Sequence, residues 1–230
     1  MPVPVPKQPK DNRYTMTTKT YVLFDLDGTL TDPGEGITNS VAYALKKWGI
    51  EVEDRTTLYP FIGPPLTDSF QRYYGFSKED SLRAVDDYRE YFRDRGMYEN
   101  EAYEGVEEML AALKAAGKRI VLATSKPEHF AFQILEHFHL DGYFDFKAGA
   151  SMDESRNKKG QVIAYALGSL GITDKAQVVM VGDREQDVQG AKENGLDSIG
   201  VLFGYGSREE LETAGATYLA ETMEDILRIV

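Results

Sequence analysis

Residues 22–31, with the sequence VLFDLDGTLT, constrain the possible fold of this chain more than any other segment. Residues 21–24 form a short apolar run with β-branched and aromatic members, which predicts a buried strand. Asp25 and Asp27 follow at once, and in a continuing strand their side chains would share one face. Two like charges this close repel each other unless a cation or a shared proton compensates them. The segment therefore predicts a polar site at a strand end; a solvated turn is the alternative, since Asp and Gly are common in turns.

Gly28 and Thr29 come directly after the two carboxylates and strengthen the prediction of a site. Glycine lets the backbone turn sharply because it has no Cβ atom. We expect the Gly28 N–H to be open to an anion, as in phosphate-binding turns.

Composition limits the classes of protein to which the chain can belong. Its 230 residues are 42% hydrophobic and 28% charged, enough for a full α/β core with a modest insertion. The net charge of −12 argues against a nucleic acid polymer as partner. The absence of cysteine excludes disulfides and thiolate metal sites. No apolar run approaches the roughly 18 residues of a membrane span and no signal-peptide core is visible, so we expect a cytoplasmic enzyme without membrane contact.

The sequence pattern divides the chain into a tail, a core and an inserted block. Residues 1–19 begin with alternating prolines and predict a flexible or polyproline-like tail, whose role the sequence does not indicate. Residues 36–100 are predicted to be helical, with no convincing strand, and to form a lid-like cap. The core is predicted to comprise residues 20–35 and 101–230.

Strands and helices alternate along the second part of the chain. Apolar runs at 119–123, 144–147, 178–181 and 198–202 predict strands, and stretches with helical spacing separate them. Such alternation predicts an α/β fold with a doubly wound, Rossmann-like parallel sheet and helices on both faces. A small α-helical cap domain would be inserted after its first strand.

Three predicted strands end in polar residues that could meet. The pairs are Asp25 and Asp27, Thr124 and Ser125, and Asp183 and Asp187. In open parallel sheets, sites form beyond the carboxyl ends of the strands. Each pair alone could simply cap a helix or a turn, but the agreement of all three in position favours one shared site.

With these residues in place, the sequence resembles the haloacid dehalogenase superfamily of aspartate-nucleophile phosphatases over residues 20–230. Four segments carry the resemblance in order: DLDGT at 25–29, Thr124-Ser125, a lysine at 158 or 159, and GDREQD at 182–187. The helical insertion is similar to the small cap of that superfamily. Residues 31–37 and 61–66 resemble its phosphoglycolate phosphatase and 5′-nucleotidase-like branch.

The resemblance implies an activity and roles for two carboxylates. The substrate would be a small-molecule phosphomonoester, with phosphoglycolate or a nucleoside 5′-monophosphate as leading candidates. Asp25 would attack phosphorus and form an aspartyl-phosphate. Asp27 would protonate the leaving oxygen and later deprotonate the attacking water.

It also implies a Mg²⁺ cofactor and a phosphate-binding set. The metal would be held by the Asp25 side chain, the Asp27 carbonyl and Asp183, with Asp187 supporting the metal or its waters. Phosphate oxygens would be bound by Thr124 and Ser125, together with the Gly28 N–H.

A lysine is needed to offset charge on the transferring phosphoryl group, and two adjacent candidates exist. Lys159 is preferred to Lys158, because it stands three residues before Val162, where the helix opened by the superfamily's lysine would lie. Arg184 is expected to pair with a neighbouring acid. Gly63 is interpreted either as part of a substrate-facing loop or as a plain helix breaker.

Several alternative functions were weighed. A dehalogenase is disfavoured, since that branch lacks an acid at the position of Asp27. A sugar phosphomutase of the same fold ranks second, because the cap shows no obvious clamp for a second phosphate. A catalytically silent binding module would be expected to have lost Asp25, Asp27 or Asp183, and none is lost. Monomeric and small homo-oligomeric states remain equally open.

Overall fold

The computed structural model describes residues 19–153 and 155–230, and a parallel sheet forms their centre. The strands in chain order are β1 (Tyr21–Phe24), β2 (Thr31–Asp32), β3 (Glu101–Ala102), β4 (Arg119–Pro127), β5 (Phe146–Ala150), β6 (Val178–Gly182), β7 (Asp197–Val201) and β8 (Tyr218–Ala220). Six of them form one sheet in the order β5-β4-β1-β6-β7-β8, with every neighbouring pair parallel. The chain order reverses on either side of β1, which places this strand at the point where ligands bind in open α/β sheets.

Helices cover both faces of the sheet and form the inserted block. They are α1 (Gly34–Lys47), α2 (Leu66–Tyr74), α3 (Lys78–Tyr91), α4 (Val106–Ala115), α5 (Glu128–His137), α6 (Lys159–Ser169), α7 (Glu185–Glu193), α8 (Arg208–Ala214) and α9 (Met223–Ile229). A short 3₁₀ helix spans Arg55–Phe61, and a π-helical turn at Phe92–Gly96 continues α3. The predicted α/β fold with a doubly wound parallel sheet is confirmed.

The two faces of β1 lie in two separate hydrophobic clusters. Val22 and Phe24 belong to the larger cluster, which also holds side chains of α4, α5 and α9. Leu23 belongs to the smaller cluster, with side chains of α6. Successive side chains of a strand point to opposite faces, so a strand buried on both sides must be apolar throughout. This is why residues 21–24 show no alternation of polar and apolar residues.

The segments that join the helical block to the sheet form a ribbon rather than loops. β2 and β3 pair antiparallel, with Thr31 opposite Ala102 and Asp32 opposite Glu101. Helix α1 begins at Gly34, two residues before the predicted boundary, and the Ile37 N–H already donates to the Pro33 carbonyl at 2.9 Å. We refer to residues 34–96, from α1 to the π-helical turn, as the cap; the division of the chain into domains stays a prediction.

The predicted tail falls almost entirely on residues 1–18, which lie outside the described part of the chain. Lys19, its last residue, is only 6% exposed, and its Nζ atom lies 2.5 Å from Asp197 Oδ2. An ion pair therefore holds Lys19 against β7, and the boundary between tail and core stays a prediction.

Some strand limits also differ from prediction. β4 extends to Pro127, so Thr124 and Ser125 lie within the strand, and its pairing with β5 shifts register between Ala123 and Pro127. Within the described chain, no helix combines the length and hydrophobicity needed to cross a membrane.

Candidate active site

Asp25 leaves the end of β1 beside the neighbouring strand β6. Its N–H donates to the Val181 carbonyl at 2.9 Å, so the backbone stays in sheet geometry at this residue. The Asp25 side chain is 3% exposed and that of Asp27, two residues on, is 6% exposed. The sequence therefore delivers two buried carboxylates to one strand end, and each requires compensation.

The Gly28 N–H does not point to an open anion site, which corrects the prediction. It donates to the Thr31 carbonyl at 2.8 Å, because the chain turns at Gly28 (φ 75°) and closes on itself. The role of this glycine is steric: a Cβ atom at this position would overlap the Asp183 carboxylate. Gly28 therefore permits the close approach of two site loops rather than supplying a donor.

Lys159 is a buried cation of the site, whereas Lys158 is exposed at the N-terminus of α6. The Lys159 Nζ atom lies 2.7 Å from Asp25 Oδ1 and 2.8 Å from Asp187 Oδ1. It also donates to the Ala123 carbonyl at 3.1 Å. The lysine thus joins Asp25 and the β4 backbone to the start of α7. Its predicted role in offsetting charge on a phosphoryl group stays a prediction.

Three carboxylates form a compact acidic cluster. One oxygen each of Asp25, Asp183 and Asp187 lies within 4.8 Å of the others, and all three residues are buried. Asp183 is fully buried; its Oδ2 accepts the Tyr205 N–H at 2.8 Å, and its Oδ1 has no hydrogen-bond partner among the described residues. Carboxylate oxygens are the ligands that Mg²⁺ prefers, and an unpaired buried carboxylate oxygen fits a metal ligand. The residues present therefore fit a divalent cation.

The pKa values of this cluster reflect its burial. Burial raises the pKa of Asp183 well above its usual range, and the neighbouring Asp187 and Asp25 carboxylates raise it further. Burial also raises the pKa of Asp187 to about 6, although the Lys159 ammonium opposes the rise. For Lys159, burial lowers the pKa, but the two carboxylates more than offset it and the net shift is upward. When fully ionised and without a metal, the cluster carries more negative charge than one lysine can balance, and protonation of Asp183 and Asp187 relieves it.

Lys126 is a site residue that the sequence reasoning missed. Its Nζ atom lies 2.6 Å from Asp27 Oδ2, and the two side chains are 5% and 9% exposed. The same ammonium lies 4.7 Å from the centre of the Phe92 ring in the cap. Burial raises the pKa of Asp27, and Lys126 opposes that rise by its charge and its hydrogen bond. The only sequence signal was its place directly after Thr124-Ser125 at a strand end.

Thr124 and Ser125 reach the same region from β4. The Thr124 hydroxyl accepts the Lys126 N–H at 3.2 Å, which shapes the end of the strand. The Ser125 hydroxyl is buried without a hydrogen-bond partner in the described chain. The structure therefore brings Asp25, Asp27, Ser125 and Lys159 together with the acidic cluster, and their roles stay a prediction.

Two cavities open beside these residues, one on each side of Ser125. The first has a volume of about 80 Å³ and is lined by Asp27 and Lys126 of the core and by largely apolar cap residues. The second has about 550 Å³ and lies between α2 of the cap and the core helices α6 and α7, next to Lys159. Both cavities are bounded by cap and core together, so cap residues form part of the wall of each.

Comparison with known proteins identifies the family. The sequence profile of the haloacid dehalogenase-like hydrolases matches residues 22–201. The chain is 42% identical to a 5′-nucleotidase of Pseudomonas aeruginosa, over 91% of this chain and 94% of that protein. It is 38% identical to the tyrosine-protein kinase PtkA of Mycobacterium tuberculosis, over 89% of this chain and 70% of that protein.

Solved structures agree with this result. The crystal structure of a predicted phosphatase from Clostridium acetobutylicum is 51% identical and superposes with a TM-score of 0.89, covering 90% of this chain and 96% of that chain. A profile match over most of the chain, together with these relatives, shows that the chain belongs to the haloacid dehalogenase-like hydrolase family and is an enzyme of its phosphatase group.

Proposed function

We propose that the protein is a Mg²⁺-dependent phosphomonoester hydrolase that acts through an aspartyl-phosphate on Asp25. The observation that carries this proposal is the placement of Asp25. Its carboxylate contacts the buried ammonium of Lys159 and lies in the acidic cluster with Asp183, whose Oδ1 has no hydrogen-bond partner among the described residues. A carboxylate with this surrounding is suited to attack phosphorus, because the charges of the phosphoryl oxygens and of the carboxylate are both offset.

The first step forms a bond between an Asp25 carboxylate oxygen and phosphorus and breaks the bond from phosphorus to the leaving oxygen. Asp27 gives its proton to that oxygen, so the alcohol departs neutral. Water then attacks the phosphorus, its proton passes to the Asp27 carboxylate, and phosphate leaves as Asp25 is restored. Lys126, 2.6 Å from Asp27 Oδ2, stabilises the ionised form of Asp27 between the two proton transfers.

The remaining residues bind and orient the phosphoryl group. The buried Ser125 hydroxyl is free to donate to a phosphate oxygen, and Lys159 is placed to neutralise another. Asp25, Asp183 and Asp187, with the Asp27 carbonyl, would hold Mg²⁺, which when bound supplies positive charge to the phosphoryl oxygens.

Two substrate classes remain, and a different cavity supports each. The 80 Å³ cavity beside Asp27, which would receive the leaving group, favours a compact ester such as phosphoglycolate. The 550 Å³ cleft beside Lys159 offers room for a nucleoside, in agreement with the similarity to a 5′-nucleotidase. Because the proton donor Asp27 borders the smaller cavity, the compact class is our first candidate.

The decisive experiment is hydrolysis of phosphoglycolate and of nucleoside 5′-monophosphates in ¹⁸O-labelled water, with Mg²⁺ and with EDTA. We expect label in the released phosphate in an amount equal to the alcohol formed, and no turnover in EDTA. The variant Asp25→Asn should be inactive while its circular dichroism spectrum matches that of the wild type. Phosphate that moves to another hydroxyl without ¹⁸O uptake would instead indicate a mutase or another phosphotransferase.

A further inference from the structure

The loop that carries Asp183 is held in place by residues that also touch the cap. The loop that follows β7 packs tightly on Asp183. A Cβ atom at Gly204 would overlap the Gly28 carbonyl, and one at Gly206 would overlap the Asp183 carbonyl. The Tyr205 N–H between these two glycines donates to Asp183 Oδ2 at 2.8 Å. The orientation of the Asp183 carboxylate therefore depends on the position of residue 205.

Tyr205 in turn contacts both the β2–β3 ribbon and the cap. Its hydroxyl donates to Asp32 Oδ1 in the β2–β3 ribbon, and the same oxygen accepts the Gly34 N–H at the start of α1 at 3.0 Å. The ring of Tyr205 packs edge-on against Tyr59 of the cap, with 5.2 Å between ring centres. A movement of the cap about this ribbon would thus shift the side chain whose backbone positions Asp183.

Arg184, the residue after Asp183, makes a second and independent connection. Its Nη1 donates to the carbonyl of Ile62, in the cap segment between the 3₁₀ helix and α2. Its Nε donates to Glu210 Oε1 at 2.9 Å, as expected for pairing with a neighbouring acid. Gly63 allows this contact, since a Cβ atom there (φ 101°) would lie 2.8 Å from Arg184 Cγ. Neither interpretation of Gly63 anticipated this contact with the core, and Gly63 also lines the 80 Å³ cavity beside Asp27.

We propose that Arg184 and Tyr205 are positioning residues that couple closure of the cap to divalent metal binding at Asp183. With the cap closed, contacts to Ile62 and Tyr59 hold the residues beside Asp183 in the geometry seen here. With the cap open, those contacts are absent and the Asp183 carboxylate is less well oriented. Because coupling between two sites is reciprocal, bound metal favours the closed cap and a closed cap favours bound metal. The inference rests on the proposed metal site and adds to it a regulation by the cap.

The test measures metal binding rather than activity. Mn²⁺ alone is titrated into the metal-free protein, and the free ion is quantified by electron paramagnetic resonance. Tyr59→Leu is the principal variant, because Tyr59 is 42% exposed, belongs to the cap and is not part of the acidic cluster. We expect its Kd for Mn²⁺ to rise about fivefold or more, within the range of typical coupling effects. Arg184→Gln should also raise the Kd for Mn²⁺.

The matched control is Tyr43→Leu, a cap tyrosine of similar exposure (36%) whose ring packs on Tyr91 within the cap. It should bind Mn²⁺ within about twofold of the wild type. In steady-state assays, the KM of the Tyr59→Leu enzyme for the phosphomonoester should be raised at low Mg²⁺ and return towards the wild-type value at saturating Mg²⁺.

The outcomes separate this inference from the proposed function. A Tyr59→Leu protein that binds Mn²⁺ as tightly as the wild type would overturn the coupling while leaving the phosphatase proposal intact. A wild-type protein that binds no Mn²⁺, or an Asp183→Asn variant that binds it unchanged, would overturn the metal site itself and the coupling with it.

Discussion

The substitution Lys159→Met should destabilise the metal-free protein far more than the metal-bound one. Lys159 is 4% exposed and contacts both Asp25 and Asp187. Its removal changes the formal charge of the fully ionised cluster from −2 to −3. Loss of one partner from a buried ion pair typically costs about 3–5 kcal/mol, because a buried charge is left uncompensated. We therefore expect the free energy of unfolding in EDTA to fall by about that amount.

The raised pKa values determine how the free energy of unfolding should change with pH. Asp183 and Asp187 have folded-state pKa values above the ordinary 3.8, about 6 for Asp187. Their protonation therefore favours the folded state: this contribution is fully present below the unfolded pKa and is lost as the pH rises through the folded pKa. In EDTA, these groups should make both proteins less stable at about pH 8 than at about pH 5. The loss should be larger in the variant, because Lys159 no longer lowers the pKa of Asp187.

Urea unfolding followed by circular dichroism, in EDTA and in Mg²⁺ at both pH values, measures these effects. Mg²⁺ at about 100 times its Kd adds about 2.7 kcal/mol to a folded state that binds it. The control is Lys19→Met, which breaks another ion pair of a buried lysine, one outside the acidic cluster and with a half-exposed partner, Asp197. The free energy of unfolding of Lys19→Met should fall by a smaller amount, and that decrease should be the same in EDTA and in Mg²⁺. A Lys159→Met protein within about 1 kcal/mol of the wild type in EDTA, the scale of an exposed pair, would refute the reasoning.

Three further predictions concern single positions. Asp27→Asn should lower kcat by about 10²–10⁴-fold if Asp27 transfers protons in both steps, and a decrease below about tenfold in a phosphate-release assay would reassign that role. Gly28→Ala should abolish Mn²⁺ binding, since the added methyl overlaps the Asp183 carboxylate; titration of the purified variant tests this, and unchanged affinity would contradict it. Asp145→Asn should make the free energy of unfolding less dependent on pH in the acid range. Burial raises the pKa of Asp145, but its hydrogen bond from the Ile120 N–H and its ion pairs outweigh that and leave it lowered, so its stabilisation is lost as the pH falls through the folded pKa. Acid titration of the two proteins should show this difference, and identical curves would exclude it.

The fold was predictable because its strands are apolar runs long enough to be recognised. β1 is buried on both faces, so its four residues carry an unambiguous signal. The ribbon of β2 and β3 was missed, because two residues per strand are too few for any periodicity. The helix start at Gly34 was missed for a similar reason: Pro33 and the two glycines 34 and 36 resemble a loop, and packing against the π-helical turn overrides that preference.

The site was predictable where a motif places a residue at a strand end, and not where two distant segments must meet. Asp25 follows from the apolar strand that precedes it, and Lys159 from the resemblance to the superfamily. The pairing of Lys126 with Asp27 spans 99 residues, and nothing in the local sequence of either segment signals it. The free Gly28 N–H was expected from the general behaviour of glycine turns, and the closing hydrogen bond to Thr31 shows that the local turn decided otherwise.

The position of Lys126 between Asp27 and the Phe92 ring has a consequence for the exchange of caps between related enzymes. The Lys126 ammonium lies over the face of an aromatic ring that belongs to the cap. A foreign cap grafted onto this core would have to present a comparable ring, since an aliphatic or acidic side chain at that place would change how Lys126 is shared with Asp27. New specificity obtained by cap replacement would therefore depend on one contact at the start of the π-helical turn, and a library for such chimeras should keep Phe92 fixed while varying the rest of the cap.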